Sequence, residues 1–267
     1  MSVPLLALGE LRRFLASRRG LVSLLAFALF WYALLVWFIR PAGVLAGSAD
    51  APGPALLLDR WLGLDLLSRW AARQLAAWWA IALYVLPFVA VFAAADQIAS
   101  DRARGTLRFL VLRVSRIEIL LGRFLGQALL MAGVVMATAL GVLVLLAIDR
   151  PDALGDAWPS LPVSMLALWL TLLPWIALMA LVSALASTPG QATRYALILW
   201  ILLSLGAGWL SRRFEEHDWV QSLMPGSGAQ AMLGRSAQAA LAPAAIGLVQ
   251  AAVFLGVAAV IMTRRDL

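Results

Sequence analysis

The sequence contains no cysteine, no lysine and one histidine, and charged residues of either sign are few. Each absence removes a class of chemistry. Without cysteine there are no disulfides and no thiolate metal ligands, and the redox compartment leaves no mark on the chain. Without lysine no P-loop of the form GxxxxGK[ST] is possible, because that lysine reaches the β- and γ-phosphates of a nucleotide. Schiff-base catalysis is excluded for the same reason. All 21 basic residues are arginine, set against 14 acidic ones for a net charge of +7. Such a surplus suits nucleic acid or an anionic membrane surface. No soluble basic domain exists to carry the first reading, so nucleic acid is not expected as a partner.

Hydrophobic residues make up 63% of the 267 positions and charged ones 13%, with a mean hydropathy of +0.91. Soluble domains are roughly a quarter charged, so this balance indicates an integral membrane protein. An apolar run of about 20 residues crosses a bilayer as a helix, which satisfies its own backbone in lipid. Six runs qualify: 21–39, 75–95, 124–148, 161–186, 195–211 and 241–262. The fifth is the shortest. "VLAGSA" at 44–49 loosely resembles a signal-peptide cleavage site, but the run before it is too long for a signal h-region and is read as a retained span. The expected fold is therefore all-α, a single transmembrane domain of six helices over 1–267 in contact with lipid.

Six spans place both termini on one side. With the termini in the cytoplasm, thirteen arginines fall inside and eight outside, the sign that the positive-inside rule requires. The segment 4–19, "PLLALGELRRFLASRR", sets Leu5, Leu8, Leu11 and Leu15 on one helical face and Gly9, Glu10, Arg13 and Ser17 on another. That is the pattern of a helix lying in the membrane interface, with an ordinary positive flank of the first span as the alternative. The outer loop 40–74 contains "LLLDRWLGLDLLSRWAARQ" and reads as a helix resting on the outer surface, with anchoring or contact to an outside partner as its two uses. The segment 212–240 is too apolar for a linker and too broken by Pro225, Gly226 and Gly228 for a span, and reads as part-buried. It holds His217 beside Glu215, Glu216 and Asp218, more simply a solvated loop than a metal site.

One interval is dense in charge: "DQIASDRARGTLRFLVLRVSRIEILLGR", Asp96 to Arg123. Its polar start, Asp96 to Arg104, is expected to prolong the second helix into the cytoplasm. Gly105 then breaks the helix and Thr106 can cap the next. Leu107, Leu110, Val111 and Val114 repeat at i, i+3, i+4 and i+7, with Arg108 and Arg113 off that face. "SRIE" at 115–118 fits a capping box, Ser115 and Glu118 opening the third span across Arg116. Two readings stand for this amphipathic helix at 105–114. It is a loop that only orients the protein, or a surface that a partner's groove grips. Along the third span Gly122 and Gly126 form GxxxG, and Gly133, Ala137 and Gly141 continue the small residues, which serves close helix packing. No ionisable residue lies deep in any span, as a proton- or ion-coupled carrier would need. An intramembrane enzyme would need paired acids or a nucleophile with its base, and only His217 and the outer acids offer themselves.

The run "DQIASDRARGTLRFLVLRVSRIEILLGRFLGQ" resembles the signature of type-2 ABC transporter permeases, in which "E-x-x-x-GT-L" precedes a leucine-rich turn, "P-x-S-R" and a "GK" that opens the third span. Asp101, Gly105, Thr106, Leu107, Ser115, Arg116, Gly122 and Arg123 stand at the matching positions. Aspartate replaces the usual glutamate, Val114 stands near the usual proline, and arginine replaces lysine. The ending "IMTRRDL" is similar to the family's "F-x-R-R-D-L". Within the family the motif is similar to that of permeases linked to maturation of multicopper enzymes such as nitrous oxide reductase, and no substrate is read from that.

The resemblance implies a membrane subunit of a bacterial exporter in the inner membrane, with no catalytic residues of its own. The helix at 105–114 would be the coupling helix, its ATPase-coupling residues Asp101, Arg104, Gly105, Thr106, Leu107, Arg108, Leu110, Val111, Val114, Ser115, Arg116 and Glu118. Two cytoplasmic ATPase subunits would hold ATP and Mg²⁺, with no cofactor bound directly by this chain. A second permease copy or homologue would complete the path. The alternative is a mechanotransmission or scaffold subunit that acts on a periplasmic partner without transport.

Overall fold

The computed structural model describes residues 3–44, 70, 72–95, 97–112, 114–213, 225 and 238–264. The readings of 56–69, of most of 212–240 and of His217 lie outside these residues.

Helix α1 runs over Val3–Ala16 and α2 over Arg18–Leu34; a π-helical turn, Leu35–Ile39, and α3, Arg40–Val44, continue it. Further along come α4 (Arg73–Ala94), α5 (Ala99–Ala103), α6 (Thr106–Val111) and α7 (Arg116–Asp149). A 3₁₀ turn at Pro151–Ala153 leads to α8 (Leu154–Ala157), α9 (Leu161–Leu185), α10 (Pro189–Arg213) and α11 (Leu241–Arg264). No strand occurs among the described residues. Five stretches are long and apolar enough to cross a membrane: Gly20–Ala42, Arg73–Ala103, Arg116–Asp149, Leu161–Leu185 and Leu241–Arg264. The remaining run, 195–211, is contained in α10, a helix of 25 residues.

Helix α9 is the centre of the bundle, in contact with α4, α7, α10 and α11. Its most apolar window is 72% buried inside the molecule, against 11% for the first stretch and 22% for α11, which turn most of their surface outward. Outward-facing Leu25, Leu29, Val249 and Val253 suit hydrocarbon rather than water. Some polar side chains within the helices are satisfied by backbone carbonyls. Thr171 donates to the Ala167 carbonyl at 2.7 Å, and the Trp169 indole crosses to the Ala128 carbonyl of α7 at 2.8 Å. At the end of the bundle that carries α3, Arg40 forks onto Asp149 with two 3.0 Å hydrogen bonds, joining α3 to the C-terminal end of α7.

Packing of α11 on α9 turns on Gly247. A Cβ there would stand 2.6 Å from the Leu170 carbonyl oxygen and 3.3 Å from Pro174 Cδ. Backbone cannot yield as a flexible side chain does, so Gly247→Ala is expected to push α11 outward at a cost of about 1–3 kcal/mol. Gly256→Ala, on the same helix with open space around it, is the control, and thermal unfolding in detergent compares the two.

Two differences from the sequence reading lie at the edges of helices. The second span does not continue to Arg104: α4 stops at Ala94 and a separate helix begins at Ala99. The break has a partner outside the segment, since Ser183 of α9 accepts hydrogen bonds from the Ile98 and Ala99 amides at 2.8 and 3.0 Å. Helix α1, moreover, divides its leucines between two sides, with Leu6 and Leu11 packed on the buried clusters of the bundle. Leu5, Leu8 and Leu15 are exposed, while Ala7 is buried against α7 and Glu10 is largely covered. The inward side is therefore mixed, with Leu6, Ala7, Leu11 and Phe14 beside Glu10.

Candidate functional site

The charged interval folds into a compact element at one end of the bundle. Gly105 sits at φ 70°, the left-handed region, which glycine enters without the Cβ penalty other residues meet. Open space surrounds it, so the backbone angle alone requires glycine there. The N-cap of α6 is Gly105 itself and has no side-chain cap bond. Thr106 therefore does not cap α6 as its position suggested. Its hydroxyl turns back to Asp101, 3.2 Å from both the carbonyl and the carboxylate oxygen, and closes α5 and α6 into one unit. Arg104 donates to the Ser100 carbonyl within that unit.

The capping box at the start of α7 is present as the sequence pattern implies. The Glu118 amide donates to the Ser115 hydroxyl at 3.2 Å, and the Ser115 amide donates to the Glu118 carboxylate at 3.0 Å. Helix α7 has 34 residues, about 51 Å at 1.5 Å per residue, against an apolar core of roughly 30 Å. The helix is thus longer than the hydrocarbon it would cross, and its first turns pack with the element through Ile119 and Leu120.

Four ties bind the element to the bundle. Arg102 donates to the Ala184 and Ala186 carbonyls, at the C-terminal end of α9 where positive charge is favoured. Arg116 does the same for α11, with 2.8 Å to the Met262 carbonyl. Val114 is buried with Ile98, Ile119, Leu120 and Met262 in one apolar cluster, onto which Leu110 and Val111 also pack. The fourth tie is a charge cluster. Arg123 on α7 is buried and pairs with both Asp101 and Glu10 of α1. Arg13 completes it at 3.1 Å from Glu10 and 3.7 Å from Asp101. Two arginines thus meet two carboxylates from three separate elements. A cavity of about 330 Å³ opens beside them, lined among others by Gln97, Arg104 and Gln127.

This geometry revises which face of α6 is free. The apolar repeat of Leu110, Val111 and Val114 is turned inward, onto the chain's own cluster. Leu107 and Arg108 lie within α6. The outward apolar surface is Phe109, 73% exposed, and Leu112, 82% exposed. They stand at i and i+3 in a stretch apolar on both sides, where periodicity does not say which side is covered. Glu10 and Arg13 were legible only as the polar side of α1.

The glycines of α7 divide in the same way. A Cβ on Gly122 would lie 2.7 Å from Leu6 Cβ, and one on Gly126 2.9 Å from Glu10 Cβ and 3.2 Å from the Ala7 carbonyl oxygen. GxxxG thus seats α1 on α7 and brings Glu10 within reach of Arg123. Gly141 approaches Leu35 of the first span, with 3.1 Å from its Cβ position to Leu35 Cδ1, whereas Gly133 meets nothing within 4 Å inside this chain. No group of three or more metal-ligating side chains occurs among the described residues.

Asp101 and Arg123 are the two positions at which the chain departs from the glutamate and lysine of the type-2 permease pattern, and here they form one ion pair. Aspartate is one methylene shorter than glutamate and arginine one atom longer than lysine, so the combined reach is kept. A family model described as ABC-2 family transporter protein matches residues 5–267, essentially the whole chain. No curated protein matches it. The family is a membrane transport component, not itself catalytic. Apolar helices, the short helix with its glycine turn and the family match agree: the chain belongs to the ABC-2 family of transporter proteins.

Proposed function

We propose that the chain is the permease subunit of an ABC exporter in a bacterial inner membrane, with six spans, both termini cytoplasmic and α6 as the coupling helix. The observation that carries this reading is the exposed pair Phe109 and Leu112 on an element tied to the ends of α9, α11, α7 and α1. Exposed aromatic and aliphatic side chains on a short fixed helix suit the groove of another protein. The sequence has no P-loop lysine, so ATP and Mg²⁺ belong to a separate ATPase, present in two copies beneath a pair of permeases. Closure of the ATPases would push α6, and its ties would pass the push to the spans. The same coupling would serve a subunit that moves an outside partner without transport.

Topology tests the frame. The protein has no cysteine of its own, so single cysteines report without background. In intact cells, impermeant maleimide should label Asp152→Cys directly, and Leu112→Cys and Thr188→Cys only after the membrane is opened. Labelling of Leu112→Cys in intact cells would remove α6 from the ATPase side. Labelling of Thr188→Cys there would break the six-span order.

A further inference from the structure

We propose that Arg123 is the positioning residue through which motion of the coupling element reaches α1, so that α1 moves as a second arm of that element. The proposal rests on the coupling reading above.

Elements α5 and α6 are held as one unit by Thr106 on Asp101. Asp101 pairs with Arg123, and Arg123 pairs with Glu10. The side chains of Arg123 and Asp101 are 8% and 4% exposed, and that of Glu10 is 22% exposed. Charges this covered have little water to replace a lost partner, so parting them is costly and intermediate separations are unfavourable. Such a contact behaves as a latch: the three elements move together or the cluster reorganises as a whole. Helix α1 is otherwise placed to follow. It lies along the first turns of α7 over Gly122 and Gly126, and Leu5, Leu8 and Leu15 on its outer side are exposed. Its far end hands over to α2 at Ser17, whose hydroxyl accepts from the Gly20 amide at 2.9 Å. A push on α6 would thus enter the first span through α1 as well as α9 and α11 through their ends.

The test uses the whole permease in complex with its ATPase, labelled at Leu8→Cys with an environment-sensitive fluorophore. Leu8 is exposed and on the outward face of α1. In the parent protein, ATP should change the signal. Arg123→Gln, Asp101→Asn and Glu10→Gln should each cut that change at least fivefold in preparations that still carry the ATPase. Arg123→Lys alone should weaken it, and Arg123→Lys with Asp101→Glu should bring it back by restoring the reach, which a merely structural loss would not do. An ATP-dependent signal of full size in all three neutral variants overturns the proposal. So does a parent protein that binds its ATPase and shows no signal at Leu8, and so does loss of the ATPase from every neutral variant, which would make the cluster part of the dock. A parent chain that never associates with an ATPase defeats the coupling reading instead.

Discussion

Changing Phe109 and Leu112 together to aspartate is expected to release the associated ATPase while leaving the permease folded. Both side chains project outward, and neither is among the residues of the apolar cluster beneath α6. An aromatic or aliphatic anchor buried at an interface commonly contributes about 2 kcal/mol or more. That is roughly a thirtyfold change in affinity for each residue at 1.4 kcal/mol per tenfold. Co-purification from detergent should fall to background, and the melting temperature of the permease alone should stay unchanged. The companion variant, Leu110→Asp with Val111→Asp, should behave in the opposite order. Those side chains pack on Val114, Ile119 and Met262, so aspartate there lowers stability before it touches binding. Retained association in a correctly inserted Phe109→Asp, Leu112→Asp protein would detach α6 from the coupling role.

Arg123→Met should be the most destabilising single change in the described part of the chain. It leaves Asp101 and Glu10 facing each other with only Arg13, whose side chain is half exposed, to compensate. Breaking a buried ion pair by removing one partner costs about 3–5 kcal/mol, because an uncompensated charge stays behind. Replacing the three together, Arg123→Met with Asp101→Leu and Glu10→Leu, should recover much of that loss, since apolar groups of similar volume need no partner. Thermal unfolding of the single and triple variants in one detergent checks both statements. A single variant as stable as the parent would mean that the cluster is hydrated rather than desolvated.

Much of the plan was legible without coordinates because the bilayer leaves few options. A run of about 20 apolar residues has to be a helix in lipid, and five of the six expected runs correspond to helices long and apolar enough to span. The box at Ser115 and Glu118 was legible because both partners sit within one turn. Gly105 was legible as a break, since only glycine enters the left-handed region without penalty. Local chemistry of this kind is written in adjacent residues.

What the sequence by itself determined is therefore the list of parts: apolar helices, an amphipathic segment before the first, and a short helix between a glycine turn and a cap. Only the tertiary structure decided which surfaces are covered. A helix of six residues that is apolar on both sides can bury either one, and the cluster of Ile98, Ile119, Leu120 and Met262 chose Leu110, Val111 and Val114, leaving Phe109 and Leu112 free. GxxxG marks a close approach without naming the visitor, and it was α1 that docked there. Asp101 and Arg123 looked like two unrelated departures from a pattern, 22 residues apart, until folding set them against Glu10 in one buried cluster. Periodicity reports that a face is apolar or charged, whereas its partner depends on contacts between residues far apart in the chain.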